Sequence, residues 1–309
     1  MKIAREILKV AASFLPLVLF IVSMPGLMAQ QWNDNFEISF GTRSWDPVKI
    51  KTEEKPTSTS EFPTIRFTAI NSTYYPFDLK IDFDLFENLY PRPAVRPFTV
   101  MHGPTYLYSF TGHVPGKGYG YRYSYLYWLS PSRETSDGSF PYLIPLAEGQ
   151  VVSAGVENSQ KLRDSFSGRA GDTVFCMRRG LVTAVPRDKN LDFRLSPHDC
   201  LEVMHDDFTY MVYENISVKD ILTAPGQTVL PGQPLAVFSD KGYIEVTLLR
   251  IKDNSNTVET LPVGYVTDGG EVVDFSQIDG RGKSVHPLSV ITLEMKSGEK
   301  KKAEKTRKK

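Results

Sequence analysis

Between Asp199 and Lys252 the chain alternates apolar and polar residues with the period of two that half-buried β-strands require. Leu201, Val203 and His205 fall on one side of the first run, and Tyr243 to Leu249 forms a second. Between them, Gly226-Gln227-Thr228-Val229-Leu230-Pro231-Gly232-Gln233-Pro234-Leu235 sets two glycines around a Val-Leu centre. Proline excludes helix here and glycine supplies positive φ, so the segment predicts a tight β-corner.

The rest of the chain points the same way. With 22 Gly, 21 Pro, 15 Tyr and 18 Phe in 309 residues, the composition favours an all-β protein with room for two domains. Strand patterns occur at Phe36–Phe40, Ile65–Ile70, Phe77–Phe83, Thr105–Thr111 and Tyr119–Leu129, and the polar, proline-interrupted stretch Lys49–Ser60 reads as a loop. Short strands at this spacing predict an immunoglobulin-like β-sandwich over 30–130, followed by a linker at 131–139. Tyr119, Tyr121, Tyr123, Tyr125 and Tyr127 share one face of their strand. They can form an aromatic platform for a ligand or a sandwich core with hydroxyls reaching its edge, and the second is the stronger expectation.

The two ends carry address-like signals. Lys2, Arg5 and Lys9 precede an apolar run from Val10 to Val22, and small residues lead to Ala29. That order predicts a cleaved signal peptide over 1–29 and hence export to the periplasm or outer envelope of a bacterium. Residues 296–309 hold eight Lys/Arg and two Glu, so the body between leader and tail is net acidic although the whole chain is neutral. The tail reads either as a disordered solvating end or as a contact with an anionic envelope surface, and no nucleic-acid partner is expected. The two cysteines, Cys176 and Cys200, are a candidate disulfide in an exported protein or else two small buried side chains.

Over 140–252 the motifs follow one another in a recognisable order. Gly171-Asp172-Thr173-Val174 to Gly180-Leu181-Val182 resembles the "G-T-x-V…G-x-V" of the M23 (LytM-like) zinc metallopeptidases, which act on peptidoglycan cross-links. Leu201 to Ile216 is similar to that family's "v-x-I-x-H-x-D-G-x-y-x-x-Y-x-H-L", Gly226 to Leu235 to its "G-x-x-V-x-x-G-Q-x-I", and Gly242 to Val246 to its "L-H-F-E-V". Upstream, Asn71-Ser72-Thr73-Tyr74-Tyr75-Pro76 and the Tyr119–Tyr127 strand resemble the β module that several exported members carry. The resemblance covers about 200 residues and implies an M23-like antiparallel β-sheet core domain over 140–252. Residues 253–295 would extend its sheet or form a lid.

In that family zinc is held by an H-x-x-x-D and by the second His of an H-x-H. Carried over, Lys161 stands at the first His and Ser165 at the Asp, Asn215 replaces the "Y-x-H" histidine, and Lys241 and Tyr243 replace the H-x-H pair. His205 matches a family histidine that is not a zinc ligand, and Tyr213 completes the candidate groove residues. No histidine lies between His113 and His198, so the first ligand is absent at any register. An open tetrahedral zinc site needs three N or O donors, so the resemblance implies a pseudo-peptidase with no catalytic residue, metal or cofactor. The expected role is binding peptidoglycan or regulating a cell-wall hydrolase. The alternatives are an envelope scaffold using the tyrosine strand or basic tail, and an active zinc endopeptidase with a rebuilt site. No G-x-S-x-G, phosphate-cradling or C-x-x-C motif supports another chemistry, and Asp206-Asp207 reads as a solvated turn.

Overall fold

A computed structural model of the chain describes residues 2–6, 35–37, 46–55, 62–133, 140–153, 163–186, 195–196, 199–253, 257–278 and 282–301. Nearly every element is a strand; the helices Phe275–Ile278 and Leu288–Ile291 are one turn each. The protein is all-β. It divides into two compact units, one made chiefly of Glu37–Ser130 and the other chiefly of Pro131–Lys252 with Val258–Lys309.

The first unit is a sandwich of two antiparallel sheets. One runs Val48–Lys55, Thr64–Asn71, Gly103–Gly112, Leu89–Tyr90 in spatial order, and the other Lys2–Glu6, Gly120–Leu129, Phe77–Glu87, Phe98–Val100. Phe67 of the first sheet joins them, meeting Phe83, Tyr121 and Tyr123 of the second edge-on at 5.3 to 5.6 Å between ring centroids. All five tyrosines of the 119–127 stripe are buried in this core. Their hydroxyls reach its margin, where Tyr127 donates to Asp46 at 3.1 Å and Tyr119 to Glu54 at 3.3 Å. The stripe is therefore core rather than an aromatic platform. Lys2–Glu6, in the segment expected to be a leader, pairs along the outer edge of Gly120–Leu129; residues 7–29 lie outside the described residues.

Asn71, in the stretch Asn71–Pro76, is buried yet spends its whole amide: its Nδ2 donates to Tyr75 O (2.7 Å) and Val100 O (3.0 Å), and its Oδ1 accepts from Thr73 N and Oγ1. That closes the turn between two strands without leaving a buried polar group unpaired. One expectation fails in this unit. Lys49–Ser60 is not a loop at its start: Val48–Lys55 is a strand, with Val48 and Ile50 turned inward. It lies at the sheet's edge, and its Lys and Glu residues are the charges with which edge strands resist further pairing.

The second unit is built on one large sheet. Its spatial order is Thr228–Val229, Gly180–Ala184, Leu201–Met204, Thr209–Glu214, Tyr243–Ile251, Thr257–Leu261, Asn35–Glu37. Asp164–Ser167 also pairs with Tyr243–Ile251, along residues 243–246. The alternation seen in the sequence sorts side chains between two faces. Leu201, Val203, Met211, Tyr213, Ile244, Val246, Leu248 and Phe166 go to the apolar core. The glycine-rich corner forms as expected, with Gly226 and Gly232 at φ 83° and 77°. Its strands bind both sides of the 173–184 segment, Thr228–Val229 on Gly180–Leu181 and Pro234–Val237 on Thr173–Phe175.

Residues 253–295 do both less and more than either expectation. Thr257–Leu261 lengthens the sheet. Gly264–Val266 and Val272–Asp274 join Pro141–Tyr142 in a separate three-stranded sheet. Beyond them, residues 297–301 are helical, with Lys300 N–H donating to Lys296 O at 3.0 Å, so the expected disordered tail does not begin at Lys296. Residues 302–309 lie outside the described residues.

Candidate functional site

The second face of the large sheet carries charge. Glu245 is directly opposite both Ser165 and Glu214 in its two antiparallel pairings, so the three side chains form one row across three strands. Glu202 lies one row away, opposite Val212. All four are enclosed: Ser165 is 6%, Glu202 0%, Glu214 7% and Glu245 6% exposed. Arg163 approaches from the half-buried margin and reaches Glu214 at 2.8 Å and Glu245 at 3.6 Å. Ser196 donates its backbone N–H to Glu202 at 2.8 Å and its hydroxyl to Glu214 at 3.2 Å. Ser165 differs from its neighbours: its Oγ is buried and, among the described residues, has no hydrogen-bond partner.

Asn215 enters this cluster through its backbone. Had the strand continued, its side chain would follow Met211 and Tyr213 to the core face. Instead Asn215 is left-handed at φ 62°, a conformation asparagine tolerates better than most residues. Its side-chain Nδ2 donates to Glu245 Oε2 at 3.3 Å, and its Oδ1 accepts from Lys241 Nζ at 2.5 Å. Ser239 Oγ fixes the turn by donating to Asn215 O. Tyr243 sits half-buried on the same face, opposite Ser167. Ser165, Asn215, Lys241 and Tyr243 thus lie on the Glu245 side of the sheet, while Lys161 lies outside the described residues.

His205 and Tyr213 do not belong to this cluster. Their odd positions in the alternating runs put them on the core face. Tyr213 OH accepts the Met177 N–H at 3.0 Å, and burial pushes its phenol well above the ordinary value. His205 Nδ1 is 2.9 Å from Arg179 O. A carbonyl only accepts, so this nitrogen carries the proton. Burial, reinforced by the Arg178 charge, pushes the imidazole down to about 3, so it is neutral in the fold.

Arg178 is the centre of that second polar group. Its guanidinium lies 3.9 Å over the Phe140 ring and donates to Tyr142 OH (3.1 Å), Asp207 (2.9 Å) and, with two nitrogens, Glu294 (2.6 Å to Oε1). Burial alone would raise the Asp207 carboxyl, but Arg178 and the Thr209 hydrogen bonds hold it below the ordinary carboxylate value. The Asp206-Asp207 turn is therefore solvated on one side only: Asp206 is mostly exposed and Asp207 is built into the ion pair.

The candidate disulfide does not form. Cys176 and Cys200 are both free and buried. Cys176 Sγ donates to Arg178 O, whereas Cys200 Sγ donates to Glu202 Oε1 on the charged face. Burial pushes the Cys176 thiol up to about 12, and burial with the Glu202 carboxylate pushes Cys200 well up, so neither is a poised nucleophile.

The side chains gathered on this face do not suit a dication. Asn215 Oδ1 already holds an ammonium at 2.5 Å, and Lys241 and Arg163 would both repel Zn²⁺. Among the described residues, no three or more His, Cys, Asp or Glu side chains converge in a way that could hold a metal ion. Glu202, Glu214, Glu245 and Arg163 were not singled out from the sequence. The available signal was a carboxylate inside each of three otherwise buried strands, Leu-Glu-Val-Met, Tyr-Met-Val-Tyr-Glu and Tyr-Ile-Glu-Val-Thr.

No protein-family model matches the chain, and no curated protein matches it. Among solved structures it is similar to the M23 metalloprotease pseudoalterin from the deep sea, at 17% identity and a TM-score of 0.30, covering 48% of this chain and 97% of that one. It is also similar to Csd3 of Helicobacter pylori. The orthorhombic crystal gives 13% identity and a TM-score of 0.28 over 83% of this chain and 80% of that one. The hexagonal crystal gives 12% and 0.28 over 84% and 77%. Likenesses at this level leave the reading of the site to its own residues.

Proposed function

We propose that this chain is an exported cell-envelope protein whose second unit is an M23-like domain without catalytic zinc. It binds peptidoglycan, or a hydrolase acting on it, through the charged face of the large sheet. One observation carries this reading. Ser165 and Tyr243 stand where the resemblance puts zinc ligands, and Asn215 and Lys241 where it puts further histidines of the site. All four lie on one sheet face around a Lys241–Asn215–Glu245–Arg163–Glu214 network rather than around donors for a dication. A polar floor with a charged rim suits recognition of a peptide bearing both signs of charge.

On this reading the face carries out no hydrolysis. A hydrolase of this type needs a metal-bound water and a base beside it. His205, the histidine retained from the motif, has its protonated nitrogen bound to Arg179 O on the other face of the sheet. The burial of the tyrosine stripe also removes the contact surface on which a purely scaffolding role depended, leaving it the basic tail.

The test is co-sedimentation of residues 30–309 with purified sacculi, alongside affinity capture of cell-wall hydrolases. Binding to either supports the proposal, and binding to neither overturns it. Stoichiometric zinc in the purified protein, with chelator-sensitive cleavage of cross-linked muropeptides, would overturn the absence of catalysis. Removing residues 296–309 is expected to weaken envelope association without affecting sacculus binding by the domain.

A further inference from the structure

We infer that the charged face is a receptor for the zwitterionic end of an α-amino acid, taking its ammonium at Ser165, Glu245 and Glu214 and its carboxylate at Lys241. This rests on the reading that the face is a binding site and names the chemistry it binds.

The inference begins with Ser165. Its hydroxyl is enclosed and, among the described residues, has no partner, an arrangement a protein interior penalises. It stands in line with two buried carboxylates, directly opposite Glu245, which is itself opposite Glu214. An oxygen with free lone pairs beside two anionic oxygens accepts hydrogen bonds, and the ligand group that supplies three donors and a positive charge together is an ammonium. A dication is disfavoured by Lys241 and Arg163 at the margin, and an anion by the carboxylates of the floor.

The margin supplies the complementary half. The row is buried, whereas Asn215 and Arg163 are half-buried and Lys241 is exposed, so charge changes sign from floor to rim. Asn215 fixes that change. Its carbonyl oxygen faces the Lys241 ammonium and its amide nitrogen faces the Glu245 carboxylate, so a single side-chain amide separates the two opposite charges. An α-amino acid likewise holds its ammonium and carboxylate on one carbon. Laid across Asn215, it meets each charge of the site with the opposite one, and the exposed side of Lys241 admits the carboxylate as a charge-assisted partner.

The probe is Nε-acetyllysine, which keeps the α-ammonium and α-carboxylate, titrated calorimetrically into residues 30–309. Nα,Nε-diacetyllysine and the α-amide of Nε-acetyllysine each remove one charge. Saturable binding below roughly 10 mM, weakened at least about tenfold by either blocking group, is the expected result. No saturation, or blocked forms that bind as well as the free one, overturns the inference. Lys241→Met, at an exposed position, is expected to lose discrimination against the α-amide while keeping that against the Nα-acetyl form. Ser165→Ala is expected to weaken all forms with a free ammonium, and if it fails to fold, the Lys241→Met result decides alone. Sacculus binding is measured on the same samples. If it persists while the amino acid does not bind, the zwitterion assignment falls and the envelope reading stands; if both fail, both fall.

Discussion

Two arginines in the second unit each bridge two carboxylates, to different ends. Arg178 binds Asp207 in a turn and Glu294 near the far end of the chain, and adds Tyr142 OH and the face of Phe140. Its partners come from separate parts of the sequence and every contact closes the fold. Arg163 binds Glu214 and Glu245, which are already cross-strand neighbours, so these two contacts join nothing that the sheet has not joined. What it does is allow two carboxylates to stand side by side next to an unsatisfied hydroxyl. Saturated and buried, the first is architecture. The second concentrates charge where a partner can meet it.

The sharpest way to break the comparison is to remove each guanidinium. Arg178→Met strands Asp207 and Glu294 and is expected to lower unfolding free energy by about 3–5 kcal/mol. Arg163→Met, at a half-buried position, is expected to cost well under half of that. Equal losses in denaturant melts would erase the distinction.

Acid probes the same node. His205 is neutral in the fold, its pKa pushed down to about 3, whereas in the unfolded chain it takes up a proton below its ordinary value. Asp207 is held below the ordinary carboxylate value, so the unfolded state binds the extra proton there too. Both contributions are present at neutral pH. The His205 part is lost as pH falls from about 6.5 towards 3, at up to about 1.4 kcal/mol per pH unit, and the Asp207 part only below about 4. His205→Asn should flatten the upper part of that slope in melts run as a function of pH.

Smaller effects distinguish satisfied from unsatisfied polar groups. Asn71→Ala leaves carbonyls and donors unpaired in the first unit and is expected to cost about 1–3 kcal/mol, read as a lowered denaturant midpoint. Ser165→Ala removes a hydroxyl that has no partner and should be neutral or stabilising by up to about 1 kcal/mol. Smallest of all is Lys241→Met, expected within about 0.5 kcal/mol of the parent in stability while weakening sacculus binding.

Much of this was legible before any coordinates. Alternation placed the strands of both units, and the glycines at 226 and 232 announced a turn that needs positive φ. The tyrosine period foretold a single ring-lined face, and burial then decided what the face does. What could not be read depended on long-range pairing or on one backbone angle. Val48–Lys55 looks like loop because an edge strand carries charges that a central one cannot. Asn215 reaches Glu245 only because its φ of 62° reverses the alternation, and nothing in Tyr-Glu-Asn-Ile specifies that. Arg178 and Glu294 are 116 residues apart, a pairing that no local pattern encodes. The candidate site was visible as a set of substituted motif positions, but not its carboxylate floor.

The Arg178–Glu294 clamp has a mechanical side as well. The basic tail begins two residues beyond Glu294, and its first described part is the helical stretch 297–301. Along the chain this bidentate ion pair is the first strong contact met on entering the fold from that tail. If the tail tethers the protein to a moving envelope, the clamp acts as the link in series that yields or holds.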